Sequence, residues 1–138
     1  YEDKFVSLIE IPFPYPFNDE FFKWFEYKEW ERLKAIFKEL KRRRGDGKAI
    51  KIELSFSGEP KIIFLVELEE GQWFRTAVEK IDFVVELLSY HLNPKELPDN
   101  LSEVVYTFDK DAIRWKMSSI IANNQKFVNS NDGWKVII

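Results

Sequence analysis

Five acidic residues next to predicted strands are the first candidates for chemistry. Asp46 precedes one predicted strand, and Glu67 and Glu69 end the next. Asp109 and Asp111 follow a later strand. Mg²⁺ is often held by only one or two carboxylates, so acids at strand ends are candidate metal ligands. Such acids are also common in solvated loops, and we interpret these five in that way, with a carboxylate–metal site as the alternative. No cofactor is predicted.

A short basic run is the second candidate, as a phosphate-binding patch. Its residues are Lys41, Arg42, Arg43, Arg44 and Lys48. Gly45 follows the run, and cations followed by glycine are typical of a helix C-terminus. The run therefore has a structural interpretation, and nucleic-acid binding through residues 41–48 is an alternative.

Several kinds of catalytic site are excluded by residue content. The chain has no Cys and one His, which excludes thiolate catalysis and a multi-histidine metal site. His91 lies at a predicted helix end, where a favourable interaction with the helix dipole accounts for it. Gly45-Asp46-Gly47 follows a helix and precedes a strand, the reverse of the order in dinucleotide sites. These observations favour a protein that is not an enzyme.

The composition indicates one globular domain over residues 1–138, with 45% hydrophobic and 17% aromatic residues. The net charge of -3 argues against a domain-wide basic field. No apolar run approaches the length of a membrane span, and we expect a cytoplasmic protein. Most of the Phe residues are expected in the core. The aromatic candidates for a contact surface are Phe13, Tyr15, Trp24 and Trp134.

Hydrophobic periodicity predicts the order of elements. Strands are predicted at 5–11, 48–56, 61–69 and 103–108, and helices at 19–44, with a bend near 27–29, and from Thr76 to a stop at Asn93-Pro94. The second helix starts at Thr76 if Thr76–Glu79 is a capping box. The alternatives are a helix starting at Gly71 or a short strand at 72–75. The segment 111–123 is ambiguous, and 126–129 with 134–138 predicts a hairpin.

This order predicts an α+β fold with an antiparallel or mixed sheet and two main helices on one face. The inward stripe of the first helix is predicted to contain Trp30, Leu33, Ile36, Phe37 and Leu40. The order of strands and helices matches the split βαβ, ferredoxin-like pattern, followed by a C-terminal hairpin.

A partial resemblance concerns Asp46, before one strand, and Glu67-Leu68-Glu69, at the end of the next. Together with the order helix, strand, strand, helix, strand, this resembles the core of PD-(D/E)xK nucleases. The resemblance implies Mg²⁺ held by these acids. Glu69 occupies the position of the family's Lys, which reverses the charge, so the resemblance implies an inactive relative.

The remaining feature is the content of aromatic and β-rich segments, including the C-terminal hairpin. Their apolar surface has to be buried, either by other elements of the chain or by a second copy. The leading hypothesis is a non-catalytic protein-interaction or assembly module, with a homodimer as one form. Its partner is therefore a protein or a second copy of the chain, and no membrane is expected.

Overall fold

A computed structural model describes residues 7–47, 50–93, 95, 97–130 and 133–137 of the chain. In the described residues, four α-helices and one 3₁₀ helix accompany seven strands. Their order is β1 (Ser7–Phe13), α1 (Asp19–Phe25), α2 (Tyr27–Arg44), β2 (Ile50–Phe56), β3 (Lys61–Val66), α3 (Gly71–Glu79), a 3₁₀ helix (Asp82–Leu87), α4 (Leu88–His91), β4 (Leu101–Asp109), β5 (Arg114–Ala122), β6 (Gln125–Ser130) and β7 (Gly133–Val136).

All seven strands form one mixed sheet in chain order, from β1 at one edge to β7 at the other. β1 pairs with β2 and β3 pairs with β4 in parallel, and the remaining neighbours are antiparallel. The prediction of a mixed α+β fold is confirmed. The ferredoxin-like order is not, because a split βαβ unit places another strand between the two that a helix connects. Here each helical connection joins direct neighbours, and the sheet is larger.

The inward side chains of the sheet form an aromatic core. The predicted alternation in β2 is confirmed, since Ile50, Ile52, Leu54 and Phe56 are all buried. Phe64 in β3 stacks on Tyr106 in β4, with ring centroids 5.0 Å apart. Aromatic side chains each bury a large area, so the high Phe content serves mainly the core.

The first helical region is divided into α1 and α2. Asn18 caps α1 by accepting a hydrogen bond from the N–H of Phe21, at 3.0 Å. Glu26 then adopts a φ of 71°, which no helix accommodates, so a new helix starts at Tyr27. The predicted bend is thus a break one residue earlier than 27–29.

The second helical region begins at one of the two alternatives to Thr76, and it is less regular than the sequence predicts. α3 begins at Gly71. The prediction of a capping box at Thr76–Glu79 was wrong. Thr76 lies inside the helix, where its hydroxyl donates to the carbonyl of Gln72, at 2.9 Å. A 3₁₀ helix replaces the expected regular continuation, although the apolar stripe with Ala77 and Ile81 is buried.

The last third of the chain is a β-meander. The ambiguous segment 111–123 contains strand β5, and its Trp115 and Ile120 are buried in the core. The helical spacing of Ile113, Met117, Ile120 and Ile121 does not produce a helix. Pairing with β4 on one side and β6 on the other overrides the local propensity. The C-terminal hairpin is confirmed as β6 and β7, while Asn131 and Asp132 of its turn lie outside the described residues.

The helical connections contact each other and the sheet. Lys34 of α2 contacts Asp82, at 3.1 Å, and the indole N–H of Trp115 in β5 donates to the carbonyl of Ala77 in α3, at 2.9 Å. The face of the sheet opposite the buried side chains of Ile50, Ile52 and Leu54 is called the outer face below, and Lys51 and Glu53 are partly exposed there.

Candidate interaction surface at the edge of the sheet

Three of the five predicted acidic residues lie together at the carboxyl ends of β3 and β4. Glu67, Glu69 and Asp109 line a concavity of about 440 Å³ there, together with Trp73. Asp46 lies close by, because the N–H of the next residue donates to the carbonyl of Glu69, at 2.9 Å. Even so, the described part of the chain contains no group of three acidic or histidine side chains that could hold a metal ion.

The contacts of these acids are structural. Asp46 accepts a hydrogen bond from the N–H of Gly71, at 2.9 Å, and so caps α3. Glu67 pairs with Lys51 across the sheet, at 3.4 Å.

At the end of β4, Asp109 pairs with Lys116, at 2.7 Å, and accepts the N–H groups of Asp111 and Ala112. The hydrogen bond from Lys116 is the main cause that holds the pKa of Asp109 below its usual range. The carboxyl of Asp109 is therefore occupied by an ion pair and a turn, and Asp111 is exposed.

The predicted basic patch is divided between the interior and the surface. Lys41 is buried, donates to the carbonyl of Gly47 at 2.7 Å, and lies over the ring of Phe74. Burial lowers the pKa of Lys41. This residue therefore holds the loop after α2 against α3 and is withdrawn from solvent.

The next two cations share one acid. Arg42 and Arg43 both donate to Glu39, at 2.6 Å and 3.0 Å. These hydrogen bonds lower the pKa of Glu39 to about 2. Arg44 is exposed at the helix end, and Lys48 lies outside the described residues.

The single histidine pairs with a buried tyrosine. His91 Nδ1 lies 2.9 Å from the hydroxyl of Tyr106. Burial, with a smaller effect of Arg114, lowers the pKa of His91, and burial raises the pKa of Tyr106. The pair therefore joins α4 to the sheet as neutral groups at neutral pH.

The four aromatic contact candidates lie in three different environments. Phe13 is 8% exposed and stacks on Phe56 in the core, so it is withdrawn from any contact surface. Tyr15 and Trp24 lie against each other, with ring centroids 4.1 Å apart and exposed fractions of 37% and 54%. Trp134 is on β7, at the edge of the sheet opposite β1, and six spacings of about 4.8 Å separate these two strands by roughly 29 Å.

Within the described part of the chain, β1 pairs with a strand only on its β2 side, and its other side forms an edge of the sheet. The carbonyl of Phe13 accepts a hydrogen bond from the N–H of Ser57, at 3.2 Å, so the backbone groups of Phe13 point toward β2. Because backbone groups alternate along a strand, those of Leu8, Glu10 and Pro12 point away from β2. Pro12, which has no N–H, occupies a position where an edge strand tolerates it.

Apolar side chains around β1 are incompletely covered. Ile9 and Ile11 face inward but stay partly exposed, unlike their neighbours in β2. The flank of α2 that points away from α3 carries Leu33 and Leu40, which are partly buried, and Ile36, which is 55% exposed. Ile36 therefore lies outside the inward stripe that its spacing predicts.

We call this region the β1 margin, meaning the open edge of β1 with the exposed side chains of Leu8, Tyr15, Trp24 and Ile36. An open concavity of about 560 Å³, lined in part by Pro12 and Pro14, adjoins it. Leu8, Glu10 and Ile36 carry no motif. Only the position of β1 at the sheet edge, which the sequence does not reveal, distinguishes them.

Comparison with protein families, with curated proteins and with solved structures finds no match for this chain. Among the described residues, no helix combines the length and the apolar character that crossing a membrane requires.

Proposed function

We propose that the protein is a non-catalytic interaction or assembly module whose contact surface is the β1 margin. The observation that carries the proposal is that backbone groups without a partner strand among the described residues coincide with exposed apolar side chains at one edge. Unprotected edges readily accept another strand, and aromatic side chains are enriched where proteins meet.

The arrangement of the polar groups also supports this proposal. The acids that could serve a metal, such as Asp46 and Asp109, are engaged by a helix N-terminus or by a lysine. Lys41, the first residue of the basic run, is buried. Asp46, Asp109 and Lys41 are thus engaged in contacts that hold the fold.

Site-specific photo-crosslinking tests the proposal. A benzophenone amino acid replaces Trp24 in the β1 margin, and the control replaces Tyr90, which is also exposed but lies on α4. In cells that naturally make the protein, we expect adducts from position 24 and few from position 90. Mass spectrometry of the adducts identifies the chain contacted. Adducts that are equally abundant at both positions, or absent from position 24, would remove the β1 margin as the contact surface.

A further inference from the structure

We propose that copies of this protein assemble head to tail, with β7 of one copy added as an eighth strand beside β1 of the next. The inference rests on the proposed interaction function and names a second copy of the chain as the partner. It is carried by strand direction, by the alternation of unpaired backbone groups, and by charge.

Strand direction makes the two edges compatible. Following the pairings across the sheet, β7 runs in the same direction as β1. Two copies in the same orientation would therefore place β7 parallel to β1 and keep the inward side chains of both sheets on the same side. The result is a continuous sheet.

The unpaired groups of β7 alternate in the complementary phase. The N–H of Ile137 donates to the carbonyl of Lys126 in β6, at 2.9 Å. By alternation, the backbone groups of Lys135 also face β6, and those of Trp134 and Val136 face the open edge.

A parallel register with Glu10 opposite Lys135 of the next copy provides hydrogen-bond partners for these backbone groups. The N–H of Glu10 then donates to the carbonyl of Trp134, and the N–H of Val136 donates to the carbonyl of Glu10. Pro12 has no N–H, so the ladder of hydrogen bonds between the two copies cannot continue beyond Glu10 on β1. Strand β7 ends at Val136, the last residue that pairs with Glu10. The two edges therefore end the ladder at the same point.

The side chains fit the same register. Glu10 lies opposite Glu53 on the outer face, and like charges facing each other across strands are unfavourable. Lys135 lies on the outer face of β7, because it pairs with Val128, whose partner Ser119 faces outward. In the assembly this lysine would lie beside Glu10.

On the helical face, Trp134 and Val136 would lie next to Ile9 and Ile11, under the exposed flank of α2. Val136 is 50% exposed in the single chain, and Ile36 of α2 would cover it. Apolar surface is thus buried on both sides of the contact.

Pairing between like edges is less favourable. Strand β1 contains no lysine or arginine, so two β1 strands would add a second Glu10 to an acidic pair. Two β7 strands would bring Lys135 against its own copy. Charge therefore selects the contact between β1 and β7, which leaves an open edge on each assembly and continues beyond a dimer.

Sedimentation of the full chain tests the proposal. We expect the mass to rise past that of a dimer between roughly 10 and 500 µM, since small interfaces bind weakly. Glu10→Lys and Lys135→Glu should each weaken association about tenfold, and the double variant should restore it. Glu86→Lys, the same charge change on the 3₁₀ helix, should leave association unchanged. Circular dichroism confirms that each variant is folded.

The proposal is overturned if the chain stays monomeric up to the highest concentration, if growth stops at a dimer, or if the charge variants do not differ from Glu86→Lys. A monomer that still forms adducts with another protein from position 24 would overturn head-to-tail assembly and leave the interaction function standing. Loss of those adducts together with monomeric behaviour would remove both.

Discussion

A buried polar network fixes the position of α2, and substitution of Asp82 tests it. One carboxylate oxygen of Asp82 accepts the indole N–H of Trp30 and the ammonium of Lys34, each at 3.1 Å. Trp30 and Lys34 are buried. Burial on its own would lower the pKa of Lys34, but hydrogen bonds to Glu31 and Asp82 raise it on balance, so the lysine is a cation.

Asp82→Ala should lower the free energy of unfolding by about 3 kcal/mol. An unsatisfied buried N–H on Trp30 costs about 1–3 kcal/mol, and weaker pairing of Lys34 adds about 1 kcal/mol because Glu31 still contacts it. For a domain of this size, such a loss lowers the melting temperature by about 10 °C. Asp82→Asn keeps one acceptor oxygen, and we expect about half the effect.

Urea unfolding followed by tryptophan fluorescence measures the loss. Glu86→Ala is the matched control, because it removes an exposed acid from the same 3₁₀ helix and should change the free energy of unfolding by less than about 0.5 kcal/mol. Equal stability of the Asp82→Ala and Glu86→Ala variants would refute the reasoning.

Three further predictions concern the other groups that we assign to the fold. Phe13→Ala should lower the free energy of unfolding by about 3–4 kcal/mol, and Trp24→Ala by less than about 1 kcal/mol, because only Phe13 fills the core; thermal melts that show equal losses would contradict this. Asp46→Ala should cost about 1 kcal/mol through the lost cap of α3, and a Mg²⁺-dependent rise in melting temperature that this variant abolishes would instead indicate a metal role. Burial lowers the pKa of His91, so below about pH 6.5 the unfolded chain binds more protons and the free energy of unfolding falls with the pH. Urea titrations from about pH 5 to 8 should show that His91→Gln removes this fall, and an unchanged pH profile would argue against it.

The sequence predicted those elements in which local pattern and tertiary packing agree. The alternation from Ile50 to Phe56 matches a strand with one buried face, and the structure confirms it. The basic residues before Gly45 likewise matched a helix end, and α2 ends there.

Errors occurred where packing overrides the local pattern. Thr76 begins a motif typical of a helix start, but Asp46, distant in sequence, caps α3 five residues earlier. The sequence leaves 111–123 ambiguous, because Ile113, Met117 and Ile120 have helical spacing, and pairing on both sides makes the segment from Arg114 a strand.

The candidate site was only partly predictable. The sequence singled out Tyr15 and Trp24 because exposed aromatic side chains often mark contacts. It also predicted a contact role for Phe13, which is buried in the core, and it did not identify Glu10 and Ile36 as surface residues of the candidate site. Their importance comes from the position of β1 at an edge, and strand order depends on long-range pairing that local patterns do not encode.

Amide hydrogen exchange at the two sheet edges tests the central claim most directly. Exchange at Glu10, Trp134 and Val136 is compared at roughly 10 and 500 µM protein, since mass action favours the assembly at the higher concentration. We expect all three amides to exchange more slowly at the higher concentration, while interior amides such as that of Phe64 do not change. Edge amides that exchange at the same rate at both concentrations would contradict the account.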